Sequence, residues 1–411
     1  MKIPFSNERM QAGHRKWRRC IAREGHLYER KGDPRSEFYR DYARILHSTA
    51  YRRLKHKTQV FFATENDHIC TRIEHVNHVA SVSYTIADNL GLNTELVSAI
   101  ATGHDLGHAP FGHQGEIILN DLSRKALGED FWHERNSLRF VDRIETLPNP
   151  AGLQENLHLT YAVRDGIICH CGEIDQKTLR PREKAVDLYD IEEAGRTSPF
   201  TWEGCVVKVS DKIAFLGRDI EDAIELGILD KAGIRRLGEI IAALGPGLKP
   251  REINNTVLMN EFIQDLSRNS SPKEGIRLSP EYVNALKAIK EFNYGYIYEH
   301  ERLSPFKEYA RLILTALFDL LRSMYGSRRE KAKAGINKNR HCYPLLAEYF
   351  EDWLVKYSDL DLLEKRKRKY ASGRLYRIED DRDFTRAVIE FISGMTDKFA
   401  IRCFNEMTSF K

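Results

Sequence analysis

The chain has 411 residues, 42% of them hydrophobic and 30% charged, and a formal net charge of +4. This composition supplies a packed core and excludes a mainly disordered chain. Because the sequence has no run of 18 apolar residues and no apolar stretch typical of a signal peptide near its N-terminus, we expect a cytoplasmic protein without a membrane-spanning helix.

The predicted elements are almost all helices. Apolar residues recur every three or four positions over 76–90, and Gly91 follows as a typical helix stop. Asn93 can cap the next helix, and His104 continues the inward face of that helix from Ile100. GHDLGHAPFGH (103–113) then predicts a helix end and a loop. Further helices are predicted over residues 115–127, 133–147, 203–228, 286–298, 310–325 and 384–404.

Some segments do not fit the helical pattern. KTQVFF (57–62) is the best candidate for a short strand, and residues 175–203 are expected to form a loop or a small subdomain. Residues 326–341 are basic and show no apolar face, and EKRKRK (364–369) is a second basic run. Each basic run is either a solvated surface or a contact for phosphate or nucleic acid. The predicted fold is therefore mainly α-helical.

Histidine is concentrated in one part of the chain, with eight of the 15 histidines between His56 and His133. Such clustering is typical of metal or acid–base sites, although histidines also lie on solvated faces. Within the cluster, the imidazole and carboxylate of His104–Asp105 suit a divalent first-row metal. Asp211 lies in an apolar helix, where an unpaired carboxylate is costly. Residues 169–171 (CHC) lack the spacing of a zinc site and are interpreted as a buried apolar patch.

Five blocks of the sequence together resemble the HD-domain deoxynucleoside triphosphate triphosphohydrolases, and bacterial dGTPase-like proteins in particular. They are HSTAYRRLKHKTQVF (47–61), RIEHVNHVA (72–80), HDLGHAPFGHQGE (104–116), SDKIAFLGRDIEDA (210–223) and SGMTDKFA (393–400). The resemblance implies an all-α fold with an HD-domain core and additional C-terminal helices. It divides the chain into an N-terminal helical segment (1–60) that contributes to the substrate site, the HD-domain core (61–230) and a C-terminal helical region (231–411).

The resemblance implies a metal site made of two histidines and two aspartates. The set is His75, His104, Asp105 and Asp211, which leaves positions for water and a phosphate oxygen. Taken singly, each of these residues could instead be a core histidine or a capping aspartate. The cofactor is expected to be a divalent ion, and Mg, Mn, Fe, Co and Ni all suit mixed nitrogen and oxygen ligands.

Catalytic roles also follow from the resemblance. His113 and Glu116 match a catalytic His–acid pair, and their spacing puts them on one face of a helical turn. Glu116 would orient His113, which would handle the proton at the nucleophile or the leaving oxygen. As an alternative, both residues simply begin a helix. His108 and His133 match histidines that line the phosphate site, with surface or capping positions as the alternative.

Four more residues match substrate contacts of the family, and a fifth position differs from it. Arg72 and Lys212 match phosphate-binding bases, and Gln59 matches a glutamine near the sugar and base. Asp219 matches the acid that meets the sugar 3′-hydroxyl. Phe215 is a departure, since related enzymes usually have Tyr there. It keeps the stacking surface but loses a hydrogen bond, so we expect weaker substrate binding.

The predicted function is metal-dependent hydrolysis of a dNTP, with dGTP favoured, to the deoxynucleoside and tripolyphosphate by water attack at the α-phosphorus. One alternative is an HD-domain phosphohydrolase that acts on another nucleotide. Another is a nucleic-acid-binding regulatory protein with a secondary HD site, which the basic runs suggest. The resemblance also implies a dimer-based homo-oligomer, up to a hexamer, and a single-stranded DNA or nucleotide effector.

Overall fold

The computed structural model describes residues 4–28, 32–61, 66, 68–171, 178–243, 255–361 and 366–409. Within them the chain forms 17 α-helices and one two-stranded antiparallel sheet, Thr146–Pro148 (β1) with Gln154–Asn156 (β2). This confirms the predicted all-α fold. The helices are α1 (Trp17–Cys20), α2 (Glu37–His47), α3 (Thr49–Arg53), α4 (Arg72–Leu90), α5 (Thr94–Gly103), α6 (Gly112–Leu127), α7 (His133–Arg139), α8 (Tyr161–Cys169), α9 (Trp202–Glu225), α10 (Lys231–Ala243), α11 (Asn255–Asn269), α12 (Pro280–Asn293), α13 (Ser304–Ser323), α14 (Arg329–Arg340), α15 (Pro344–Tyr357), α16 (Asp381–Ser393) and α17 (Asp397–Thr408).

Helices α4, α5, α8 and α9 form the part of the core that positions the candidate site. α4 packs against α5 and α9, and α8 packs against both α5 and α9. The caps predicted from the sequence are present. Gly91 ends α4 with a φ of 79°, and the side chain of Asn93 accepts hydrogen bonds from the first-turn amides of α5. The end of α4 and the start of α5 are thereby fixed between the segments that carry His75 and His104.

Two predicted helices end earlier than the apolar pattern indicates. α7 stops at Arg139, and a π-helical turn over Phe140–Ile144 leads into β1, so a helix over 133–147 is wrong. The backbone of β1 pairs with β2 and is not available to a helix. A single helix over 384–404 is also wrong. α16 ends before Gly394, and the side chain of Thr396 caps α17 by accepting from the amide of Phe399.

The strand predicted over 57–62 is wrong for residues 57–61, which form only one isolated bridge, Thr58 with Thr71; residue 62 lies outside the described part of the chain. Residues 326–341 were expected to lack a core face, yet α14 spans most of them and buries Ala332 and Ile336. Of the loop or small subdomain predicted over 175–203, residues 175–177 lie outside the described residues, 178–201 contain no α-helix, and 202–203 begin α9. Of the second basic run, residues 364 and 365 lie outside the described residues.

The C-terminal helices pack on the same core. α13 packs against α6, α16 and α17, and the Tyr357 hydroxyl donates to the carbonyl of Ile144 at 2.6 Å. The division into 1–60, 61–230 and 231–411 stays a prediction. No described helix is both long and apolar enough to cross a membrane.

Candidate active site and metal centre

Four predicted metal ligands, contributed by α4, the end of α5 and α9, lie close together and largely buried. His75 Nε2 lies 3.1 Å from Asp211 Oδ1 and 3.9 Å from Asp105 Oδ2. His104 Nε2 lies 3.6 Å from Asp105 Oδ1 and 3.8 Å from Asp211 Oδ1. Two imidazole nitrogens and two carboxylates at these separations can face a single ion of the first transition series.

The orientation of His104 fits a metal ligand. Its Nδ1 lies 2.6 Å from the carbonyl of Ala101, so Nδ1 carries the proton and Nε2 offers a lone pair. His104 is fully buried, and its Nε2 has no hydrogen-bond partner among the described residues. A buried polar atom without a partner is costly, and a bound cation would satisfy it. The donor set therefore fits the divalent ion that the sequence predicts.

Arg72 forms an ion pair with one of the predicted metal ligands, Asp105. Its Nη1 donates to Asp105 Oδ2 at 2.6 Å, and its Nε and Nη2 are buried without a hydrogen-bond partner in the described part of the chain. Burial raises the pKa of Asp105, but the adjoining His104 and the guanidinium of Arg72 outweigh burial and hold that pKa well below its usual range. Asp105 is therefore ionised, and Arg72 has donors left for an anion.

A second group of side chains adjoins the metal ligands. Glu116 accepts from the backbone amide of His133 at 2.7 Å, and its carboxylate lies 3.0 Å from His133 Nδ1. The His108 ring stacks on His133 with centroids 4.4 Å apart. His133 Nε2 lies 3.9 Å from Asp105 Oδ1, which connects this group to the metal centre.

The charges in this second group are well defined. Burial alone would lower the pKa of His133, but Glu116 and Glu134 outweigh burial and raise that pKa to about 10. His133 is therefore an imidazolium at neutral pH. Burial and the nearby Arg72 hold the pKa of His108 well below its usual range, so His108 is neutral. A fixed cation beside a neutral histidine suits a site for an anionic oxygen.

His113 does not form the hydrogen bond with Glu116 that their three-residue spacing predicts. Its Nδ1 lies 3.8 Å from Glu116 Oε2, beyond hydrogen-bonding distance, and its side chain is 62% exposed. Glu116 makes its hydrogen bond with His133 instead. The roles of His113, Glu116 and His108 in catalysis stay predictions, although one polar atom of each lies within 4.8 Å of the others.

The glycine of HDLGH explains how α7 reaches the site. A Cβ on Gly107 would lie 2.2 Å from the backbone nitrogen of Ser137, so any side chain there would push α7 away. The Gly107 amide donates to Ser137 Oγ at 2.9 Å. Close packing of this loop on α7 places His133, the first residue of α7, beside His108.

A cavity of about 400 Å³ extends from the metal ligands towards α12 and α13. Its walls include Gln59, Lys212, Phe215 and Asp219, so the predicted substrate residues share one space. Gln59 is buried, and its Oε1 has no hydrogen-bond partner among described residues. The cavity has the size of a small-molecule site.

Asp219 has a partner that the sequence did not reveal. The hydroxyl of Tyr298, in the π-helical turn Tyr294–Tyr298 that follows α12, donates to Asp219 Oδ2 at 2.5 Å. Burial raises the pKa of Asp219 to about 6. Tyr298 also lines the cavity, and its partner Asp219 lies one helical turn after Phe215 on α9. A phenol hydroxyl is thus present in this wall although residue 215 lacks one.

Comparison with known proteins agrees with this geometry. The HD domain family matches residues 72–216. A deoxyguanosinetriphosphate triphosphohydrolase-like protein of Caldanaerobacter subterraneus is 33% identical over 379 residues, which cover 92% of this chain and 87% of the relative. A protein of the same name from Paracoccus denitrificans is 30% identical over 98% of both chains. One from Desulfatibacillum aliphaticivorans is 37% identical over 69% of this chain and 73% of its own.

The chain belongs to the deoxyguanosinetriphosphate triphosphohydrolase-like family. This membership and the HD domain make it a phosphohydrolase, and its buried His/Asp cluster is able to hold a metal ion. The individual assignments of the metal, catalytic and substrate-binding residues stay predictions.

One residue of this triphosphohydrolase-like chain was misread from its sequence. His170 was grouped with Cys169 and Cys171 as an apolar patch, but its ring lies 4.8 Å from that of His104 and lines the cavity. Its Nδ1 lies 2.5 Å from the carbonyl of Ile167, three residues earlier, as His104 does with Ala101. A histidine just after a helix end was the signal available in the sequence.

Proposed function

We propose that the protein hydrolyses deoxynucleoside triphosphates, with dGTP favoured, to the deoxynucleoside and tripolyphosphate. One observation supports this most directly. Three of the four predicted metal ligands, His75, Asp105 and Asp211, line the same cavity as Gln59, Phe215 and Asp219. A nucleotide whose α-phosphate meets the ligands would therefore place its sugar and base along the remaining walls. The curated relatives carry a matching name.

The charges in the site suit a triphosphate. Arg72 has two buried nitrogens without a hydrogen-bond partner among the described residues, and Glu116 holds the imidazolium of His133 beside the predicted metal ligands. These donors would neutralise phosphate oxygens as charge develops in the reaction. A divalent ion held by His75, His104, Asp105 and Asp211 would polarise a phosphate oxygen and acidify water.

We assign proton transfer to His113, a solvent-exposed residue of the cavity lining. Water attacks the α-phosphorus, the bond to the 5′-oxygen breaks, and the leaving oxygen takes up a proton. His113 lines the cavity and is accessible to solvent, so it can exchange protons with water between turnovers. Gln59 and the Asp219–Tyr298 pair would bind the sugar and the edge of the base.

To test this proposal, protein of known metal content is incubated with each dNTP and each NTP, and the products are separated and identified. Tripolyphosphate with the deoxynucleoside is expected, and dGTP is expected to have the highest kcat/KM. Orthophosphate or pyrophosphate would favour an HD-domain phosphohydrolase of another type. His113→Ala should lower kcat while metal content stays constant, whereas the exposed His341→Ala should match the wild type. Full turnover by His113→Ala would remove the assignment of His113.

A second candidate function, nucleic-acid binding, is favoured by α14. Arg328, Lys331, Lys338 and Arg340 are exposed on or beside this helix, and such a basic surface attracts phosphates. We propose single-stranded DNA as an effector at this surface, on a dimer-based homo-oligomer. DNA binding that weakens steeply with salt and changes turnover would support this, and a flat salt response would contradict it. Light scattering measures the oligomeric state.

A further inference from the structure

The turn between α16 and α17 is buried against two loops of the candidate site. Asp397, the first residue of α17, is 4% exposed. Its Oδ1 accepts a hydrogen bond from the backbone amide of Phe111 at 2.9 Å, and its Oδ2 accepts one from the amide of Thr58 at 2.9 Å. These amides belong to distant parts of the chain. A single carboxylate therefore fixes how far apart the two loops lie.

Lys57 links the same segments in the opposite direction. It is 1% exposed, and its Nζ donates to the carbonyls of His108 and Ser393, the latter at 2.9 Å. A buried ammonium requires such partners, and the opposite charge of Asp397 adds to them. The backbone at residues 57–58 and 108–111 is thus tied to residues 393–397.

The loop held by Asp397 has a strained backbone. Phe111 has a φ of 63°, in the left-handed region that is unfavourable for a residue with a side chain. Gly112 follows with a φ of 59°, and a Cβ on it would lie 3.0 Å from the carbonyl oxygen of Gln59. Such a conformation persists only where surrounding contacts fix it. It turns the chain into α6, where His113 is the second residue.

We infer that Asp397 and Lys57 form a positioning clamp that holds Gln59 and His113 in place for the reaction. The clamp residues do not line the cavity, so they act through the loops and do not touch the substrate. This inference rests on the proposed function, because Gln59 and His113 derive their roles from it. It assigns the C-terminal SGMTDKFA block (393–400) a role in organising the site.

The kinetic test compares Asp397→Asn with Asp380→Asn. Asp380 is the N-cap of α16, where it accepts from the amide of Asp383 at 2.9 Å; it is only half-buried and does not line the cavity. The Asn at 397 presents an NH₂ group to one of the two amides and loses that bond. We expect kcat/KM for the dNTP to fall about tenfold or more, since small misplacements of reacting groups are costly. Metal content should stay at the wild-type level, and Asp380→Asn should match the wild type.

Amide hydrogen exchange supplies a readout that is independent of activity. In Asp397→Asn we expect the amides of Thr58 and Phe111 to lose protection while those of α16 keep theirs. Lys57→Gln, which retains a donor but loses the charge, should show the same pattern more weakly and serves if the first variant does not fold. Wild-type kcat/KM in a folded variant, or loss of protection spread evenly over all helices, would overturn the clamp. If the wild-type protein hydrolyses no dNTP, the proposed function fails, and exchange alone decides the clamp.

Discussion

Asp219 is a buried carboxyl group in the cavity wall, and its ionisation opposes folding. Burial raises its pKa to about 6, against 3.8 for the exposed group. Between these pH values the folded chain holds a proton that the unfolded chain has lost, so the free energy of unfolding decreases as pH rises. Above pH 6 this penalty is complete, and it amounts to at most about 3 kcal/mol.

The variant Asp219→Asn tests this sign. An amide oxygen can still accept from Tyr298, but the group no longer ionises. We expect the variant to melt at a higher temperature than the wild type at pH 8, with the difference shrinking towards pH 4. Substrate binding should weaken at the same time. If Asp219→Asn and the wild type melted at equal temperatures at all pH values, burial of the ionised carboxyl would not carry this free-energy cost.

Phe215 provides a second prediction for a single residue. It lies one helical turn before Asp219 on α9, and it lines the cavity together with Tyr298. Phe215→Tyr adds a hydroxyl near the sugar position, so we expect KM for the dNTP to fall. Tyr298→Phe should raise KM, because Asp219 loses its donor. Steady-state kinetics with each dNTP and NTP measures both, and an unchanged KM and dNTP/NTP preference in Phe215→Tyr would contradict the idea.

The histidine cluster shows what sequence reasoning reaches at this scale. Spacing brought His113 and Glu116 together, as residues three apart on a helix must be. It did not show that Glu116 turns towards His133, 17 residues away, because the packing of the loop on α7 decides that orientation. The contact of Tyr298 with Asp219 could not be predicted from local spacing either, because the two residues lie 79 positions apart in the sequence. Local pattern identifies candidate residues, and tertiary contacts choose their partners.

At the scale of elements, α14 shows why helix prediction from apolar periodicity failed. Only Ala332 and Ile336 of this basic helix are buried, and they lie four residues apart on one face. Two apolar positions are too few to produce a recognisable stripe. α14 is instead stabilised by packing against α15, which the local sequence does not encode.

Ile336→Ala tests this packing. Removing a fully buried isoleucine side chain should lower the free energy of unfolding by about 2–4 kcal/mol. The exposed Lys338→Ala on the same helix should change it by less than about 0.5 kcal/mol. Chemical denaturation monitored by circular dichroism measures both values. Equal effects of the two substitutions would mean that α14 does not pack through Ile336.

At the scale of the whole molecule, the candidate metal centre joins parts of the chain that are far apart in sequence. His75, His104–Asp105 and Asp211 come together only in the folded state. An ion bound by all four must therefore favour folding, because the unfolded chain cannot reproduce the site. At a free ion concentration 100 times the Kd, this stabilisation reaches about 2.7 kcal/mol.

Removing the ion with a chelator should lower the melting temperature, and adding Mn²⁺ back should restore it. The C-terminal region should unfold in the same transition, because Lys57 and Asp397 tie residues 393–397 to the loops beside the metal centre. The chain has four tryptophans, so the two regions are followed with variants that keep one of them each. A variant that keeps only Trp353, with Trp17, Trp132 and Trp202 replaced by Phe, reports on the C-terminal helices. A variant that keeps only Trp132, with Trp17, Trp202 and Trp353 replaced by Phe, reports on the region before α7. Coincident transitions are expected in both variants, and His104→Gln should melt at one temperature with or without Mn²⁺. An early Trp353 transition unaffected by the ion would mean that the C-terminal helices fold as a separate unit.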